Sequence, residues 1–174
     1  MSKSVKRIRN CGYACLICAA LSLALAFPTL EVPANRYSFS CIFCAALFGG
    51  LTVASAHTGR DLRLWQGVAL LIGGAIWVIF SIRPSFIWLS AFFGLMMTLS
   101  GAALSFIHGA FAGYLGLAYS TICALMLLMS GIGLYLSRES SFSELTYLLQ
   151  SFLAFGSFFL CGIAAFLENR RRRA

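Results

Sequence analysis

The chain has 174 residues, 60% of them hydrophobic and only 10% charged, with a mean hydropathy of +0.89. Soluble domains carry about 25% charged residues, so the composition argues against a soluble globule and for an integral membrane protein of one domain. The net charge of +8 does not point to nucleic acid, because the Lys and Arg residues stand at the ends of apolar runs, where membrane helices carry them.

The head of the chain holds Lys3, Lys6, Arg7 and Arg9, and an apolar run follows over residues 11–27. A basic head, a short apolar stretch and the small residues Ala24 and Ala26 also describe a secretory signal peptide. Retention of the segment as a first membrane helix is the expectation, because the internal repeat described below needs it. Residues 29–36 form a polar link with Glu31, Pro33 and Arg36. A second apolar segment spans residues 37–56 and closes on His57, and residues 58–63 form a short charged link.

The stretch around which the chain is organised is residues 64–108, where Arg83 is the only formal charge and Pro84 divides two apolar runs. A bilayer core of roughly 30 Å needs about 20 helical residues, so this stretch reads as a transmembrane hairpin with a tight turn at residues 81–85. After His108, Gly109 and Ala110 make a brief turn into a fifth helix over residues 111–136. A polar link covers residues 137–143. Ser143 and Glu144 suit the start of a sixth helix, where a side-chain oxygen and a carboxylate meet unpaired N–H groups. That helix is expected to end near Leu167, ahead of the tail Arg170–Arg173. The fold class is therefore all-α, an integral membrane bundle of six transmembrane helices arranged as three helical hairpins over residues 9–58, 62–110 and 112–168. No strand pattern competes, since open sheet edges cannot face lipid.

With the N-terminus in the cytoplasm, ten Lys and Arg lie inside and only Arg36, Arg83 and Arg138 lie outside. This positive-inside bias places both termini in the cytoplasm.

The three hairpins read as copies of one unit. Gly50 precedes His57 by seven residues, Gly101 precedes His108 by seven, and Gly162 precedes Asn169 by seven. A small residue stands before each glycine: Gly49, Ser100 and Cys161. In the odd helices, Gly12 leads to Pro28 and Gly67 to Pro84, whereas the third copy has no such proline. In these features, over roughly residues 9–168, the chain resembles the HdeD-like family of bacterial membrane proteins. The resemblance implies a multi-pass protein of the bacterial inner membrane, linked to acid-stress resistance.

Cys11, Cys15 and Cys18 have the spacing of an iron–sulfur cluster loop, but they fall at i, i+4 and i+7 on one face of a membrane helix. They read as small apolar residues against a neighbouring helix. Cys123 and Cys161 read as core, and Cys41 and Cys44 are poorly placed to bridge each other. No nucleophile set, metal-spaced histidines or phosphate loop is present in the sequence. The expectation is a protein that is not an enzyme, with no cofactor and no metal. Its partner is the lipid bilayer, with a homo-oligomer as one option.

Intramembrane polar residues are functional candidates by default. Gln150 stands out inside the sixth helix, either as part of a polar pocket or as a hydrogen-bonding contact to a neighbouring helix. Glycines support close helix packing in lipid. Gly67 and Gly74 share one stripe of the third helix and Gly94 and Gly101 one stripe of the fourth, and these join Gly50 and Gly162 as expected packing positions. The phenylalanines are expected to face lipid or fill gaps. His57 and His108 at the inner ends, with Glu31, Glu139 and Glu144 in the outer links, are the candidate pH-responsive groups. The histidines equally suit a role as interfacial caps. Two function classes follow: a stress-related membrane protein without a catalytic site, and a small channel or permease.

Overall fold

The computed structural model describes residues 3–27, 33–81, 88–107, 110–136 and 142–171. All regular structure among them is helical: α1 (Lys3–Ala26), α2 (Pro33–Thr58), α3 (Arg63–Ser81), α4 (Trp88–Phe106), α5 (Ala110–Leu136) and α6 (Phe142–Arg171). Five of the six are long and apolar enough to cross a membrane. The fourth helix has 19 residues, on the order of 28 Å at 1.5 Å each, with Ala91–Phe106 as its apolar stretch.

The helices overrun the apolar segments that predicted them. The first begins at Lys3 rather than at the apolar run, since Lys and Arg are good helix formers and the backbone ladder continues beyond the hydrocarbon. The second opens on Pro33, whose missing N–H costs nothing in a first turn. It stops where Gly59 takes φ 68°, with the Gly59 N–H donating to the Ser55 carbonyl at 3.0 Å. Asp61 then accepts from the Arg63 N–H at 3.1 Å and pairs with the Arg63 guanidinium, which starts α3.

Consecutive helices pack as three hairpins, α1–α2, α3–α4 and α5–α6. Contacts of α2 with α3, α4 with α5 and α6 with α1 close these hairpins into a ring, thinnest at α4–α5. The second and fourth helices both touch α6 across the interior.

Each hairpin is closed by a pair of facing glycines. A Cβ added to Gly12 would lie 3.1 Å from the Gly49 carbonyl oxygen, and one on Gly49 would lie 3.2 Å from that of Gly12. One on Gly67 would lie 2.5 Å from the Gly101 oxygen, and one on Gly101 would lie 2.6 Å from the Gly67 oxygen. Between α5 and α6 the same relation joins Gly116 and Gly162, at 3.1 and 2.7 Å. The α3–α4 hairpin has a second such contact, with a Cβ on Gly74 falling 2.8 Å from the Gly94 oxygen. In the first hairpin the close approach belongs to Gly49. Gly50, the expected packing position, has only Leu16 at 4.0 Å. The two residues point about 100° apart on the helix, so the register of the first copy shifts by one residue.

The interior is aromatic, built from a minority of the phenylalanines. Phe93 is fully buried and stacks with Trp77, Phe155 and Phe158 at centroid distances of 5.1, 5.8 and 5.6 Å, edge to face or nearly so. Tyr119 joins it at 5.6 Å. Edge-to-face pairs add about 0.5–1.5 kcal/mol beyond area burial. Other phenylalanines, among them Phe43, Phe92 and Phe111, do point outward.

Candidate functional site

Below the aromatic layer, toward the end where α2 and α6 finish and α3 begins, buried polar side chains make two contacts from successive turns of α2, one to α3 and one to α6. Gln66, in the first turn of α3, donates from Nε2 to the Thr52 Oγ1 at 3.1 Å. Thr52 spends its own proton on the Phe48 carbonyl at 2.8 Å, so its oxygen can only accept from Gln66. That requirement orients the amide: the nitrogen faces Thr52, and Oε1 points the other way with no partner among the described residues. One helical turn beyond Thr52, Ser55 lies 2.9 Å from the Arg60 carbonyl and 3.5 Å from Glu168 Oε1. Its single proton serves one of these acceptors at a time. Gln66, Thr52, Ser55 and Glu168 are each at most 1% exposed.

Glu168 is the residue that sequence reading missed. It follows the expected helix end at Leu167 and adjoins the arginine tail, so it reads as interfacial. Because α6 continues to Arg171, Glu168 instead extends the buried face of Cys161, Ala164 and Ala165, at i, i+3, i+4 and i+7. That periodicity was the available signal. Gln66 was hidden in the same way, beside a charged link. Glu168 is thus a buried ionisable group of the bundle that the sequence did not single out. Asn169 is buried beside it, with its Nδ2 where a Cβ on Gly113 would stand, 2.7 Å away.

The expected site residues fall in several places. Gln150 is buried at the opposite end of α6, where its backbone carbonyl accepts from Ser22 Oγ at 3.0 Å, and it takes no part in these contacts. His57 is exposed and its Nε2 lies 3.0 Å from the Tyr13 hydroxyl, which ties α2 to α1. His108, Glu31 and Glu139, with Pro28 and Pro84, lie outside the described residues, and Glu144 outside those whose side chains are described.

Cys11, Cys15 and Cys161 sit where α1, α2 and α6 meet, while Cys41 donates to the Gly73 carbonyl of α3 at 3.3 Å. Cys15 Sγ is 3.4 Å from Cys161 Sγ and 3.4 Å from the Ala45 carbonyl, and Cys11 donates to the Leu160 carbonyl at 3.3 Å. All seven are free thiols. Among the described residues no group of three or more His, Cys, Asp or Glu is placed to hold a metal. Two grooves on the apolar flank, about 630 Å³ along α5 and α6 at Leu128 and Phe152 and about 440 Å³ between α2 and α3 at Phe43 and Ile72, are lined almost wholly by hydrocarbon. Comparison with protein-family models, curated proteins and solved structures finds no match to this chain.

Proposed function

We propose that this multi-pass membrane protein belongs to the bacterial inner membrane, with both termini cytoplasmic, and contributes to acid-stress resistance in the manner of the HdeD-like family it resembles. In this reading it is not an enzyme. It acts as a packed bundle that alters the membrane barrier or engages other components within it. The observation that supports the reading is the threefold recurrence of one hairpin contact, Gly12–Gly49, Gly67–Gly101 and Gly116–Gly162. The resemblance rests on a repeated hairpin, and this contact supplies a physical basis for the repeat. The test is survival of a deletion strain at an external pH of about 2–3, below the range where glutamate titrates, with and without the wild-type gene. Complementation supports the role, and equal survival of all strains removes it.

A second reading, a small channel or permease that could act as a homo-oligomer, is favoured by one observation, the buried Glu168 beside Ser55. Carboxylates within membrane bundles recur in ion and proton pathways. Against it, Phe93, Trp77, Tyr119, Phe155 and Phe158 fill the interior above that contact. Proton or cation flux into proteoliposomes that is lost in Glu168→Gln would favour transport, and equal flux in protein-free vesicles would end it.

A further inference from the structure

The distribution of charge between the two ends of the bundle carries an inference beyond topology. Helix packing gathers the start of α1, the α2–α3 link and the end of α6 at one end. By sequence, ten of the thirteen Lys and Arg belong to that end: Lys3, Lys6, Arg7, Arg9, Arg60, Arg63 and the run Arg170–Arg173. Only Asp61 and Glu168 oppose them. The other end holds three Arg against three Glu and sums to zero, so the chain's whole net charge of +8 resides at one end.

The acids at the basic end are already engaged inside the protein. Asp61 pairs with Arg63 at 3.2 Å, and Glu168 is 1% exposed beside Ser55. Lys6, Arg7, Arg60 and Arg170 are exposed. The charge is also one-sided. Residues 104–112, which end α4 and begin α5, contain no Lys or Arg, and Phe106 and Phe111 are exposed there.

Exposed apolar and aromatic side chains adjoin the basic ones. Leu64 and Trp65 directly follow Arg63, with Trp65 61% exposed. Tyr13 and Ile17 continue down α1 from Arg9 at i+4 and i+8, and both are exposed. A soluble anion or a nucleic acid would meet basic groups in a polar surround. Here phosphate-binding side chains sit beside surface that needs hydrocarbon. One molecule presents both at that spacing: a phospholipid, whose headgroup lies at the level of interfacial Trp and Tyr.

We propose that the end formed by α1, the α2–α3 link and α6 selectively binds anionic phospholipid headgroups of the phosphatidylglycerol class. Juxtamembrane clusters of four to eight Lys and Arg attract anionic lipid in this way, and the attraction falls off within a Debye length.

The experiment uses the full chain in neutral detergent, with bound lipid counted by native mass spectrometry. The probes are dioleoyl-phosphatidylglycerol and dioleoyl-phosphatidylcholine, which share acyl chains, with glycerol phosphate as the soluble arm. Phosphatidylglycerol is expected to bind about tenfold tighter than phosphatidylcholine at low salt. Raising salt from about 0.05 to 0.5 M should erase most of that preference, while phosphatidylcholine binding holds. The variant K6Q/R7Q/R60Q/R170Q should weaken the preference, and R36Q/R83Q/R138Q at the other end should leave it unchanged. If the fourfold variant does not fold, the salt series on the wild-type chain decides. Equal affinity for the two lipids overturns the proposal, as does a preference undiminished in the folded fourfold variant or at high salt. Competition by glycerol phosphate as strong as by the lipid would replace it with a free-anion site.

Discussion

Ser55 on α2 faces Glu168 on α6 across 3.5 Å, a hydroxyl against a carboxylate with both residues 1% exposed. The contact is long for a hydrogen bond, so its strength belongs at the weak end, about 0.5 kcal/mol. Ser55→Ala is expected to lower stability by more than that in detergent melting, because it also removes the 2.9 Å bond to the Arg60 carbonyl. Combined with Glu168→Gln, the losses should be less than additive, because both substitutions alter the one Ser55–Glu168 contact. Full additivity would mean that the two groups do not interact.

The lone acceptor of Gln66 sets two neighbouring substitutions apart. Gln66→Leu removes a buried oxygen that has no partner among the described residues and leaves Thr52 its own bond to the Phe48 carbonyl. Thr52→Val strands the Gln66 amide instead, and an orphaned buried polar group costs about 1–3 kcal/mol. Thr52→Val should therefore melt well below Gln66→Leu. The reverse order would show that Gln66 Oε1 is satisfied in the membrane.

The Tyr13 hydroxyl and His57 Nε2 lie 3.0 Å apart and tie α1 to α2, with the donor set by the imidazole tautomer. Under the acid-stress reading, cells carrying His57→Gln with His108→Gln, at matched expression, should survive acid no better than the deletion strain. Survival at the wild-type level would leave both histidines as interfacial caps. A parallel variant with Glu31, Glu139 and Glu144 changed to Gln tests the outer links separately.

Orientation is tested by reporters. A fusion at Ser140 should report the outer side and one after Ala174 the cytoplasm, as ten inner against three outer Lys and Arg require. A cytoplasmic signal from Ser140 would invert or break the hairpin order. An intact mass that retains Met1–Ala26 is expected, since α1 packs against both α2 and α6 and buries Cys15 and Ala19. A mass beginning at Phe27 would identify a cleaved signal peptide instead.

The helices and their pairing were legible because five of the six apolar runs have the length a bilayer imposes, with short polar links between. The facing stripes of α3 and α4 were legible from the seven-residue spacing of Gly67 with Gly74 and of Gly94 with Gly101. Other features depend on rotation and packing, which composition does not encode. Gly49 and Gly50 are adjacent, and only the approach of α1 selects Gly49. The fifth helix carries Gly113, Gly116, Gly131 and Gly133 with no proline landmark, so Gly116 emerged only from its contact with Gly162. Glu168 was not singled out because a carboxylate beside an arginine run resembles a helix flank until α6 is seen to continue past it. Which phenylalanines turn inward, Phe93 among them, was not legible, because an aromatic in a membrane helix suits lipid as well as it suits a core.

Helix contact at glycine also predicts an unequal response within α4. Leu99 is 42% exposed, two residues and about 200° around the helix from Gly101. Leu99→Ala should change stability little, since a lipid-facing side chain has no cavity to leave. Gly101→Leu would drive a branched side chain into the backbone of Gly67 and Leu70, with an overpacking loss of about 1–3 kcal/mol or more.

The most direct test of the glycine-closed hairpins is detergent melting of four single alanine variants side by side: Gly49→Ala, Gly101→Ala, Gly162→Ala and Gly50→Ala. The first three each place a methyl against a partner helix's backbone oxygen at 3.2, 2.6 and 2.7 Å, whereas at Gly50 it meets only Leu16 at 4.0 Å. Clear destabilisation is expected at Gly101 and Gly162, a smaller loss at Gly49 and none at Gly50. Equal melting of all four, or a Gly50 variant that melts below the Gly101 variant, would contradict the three glycine contacts.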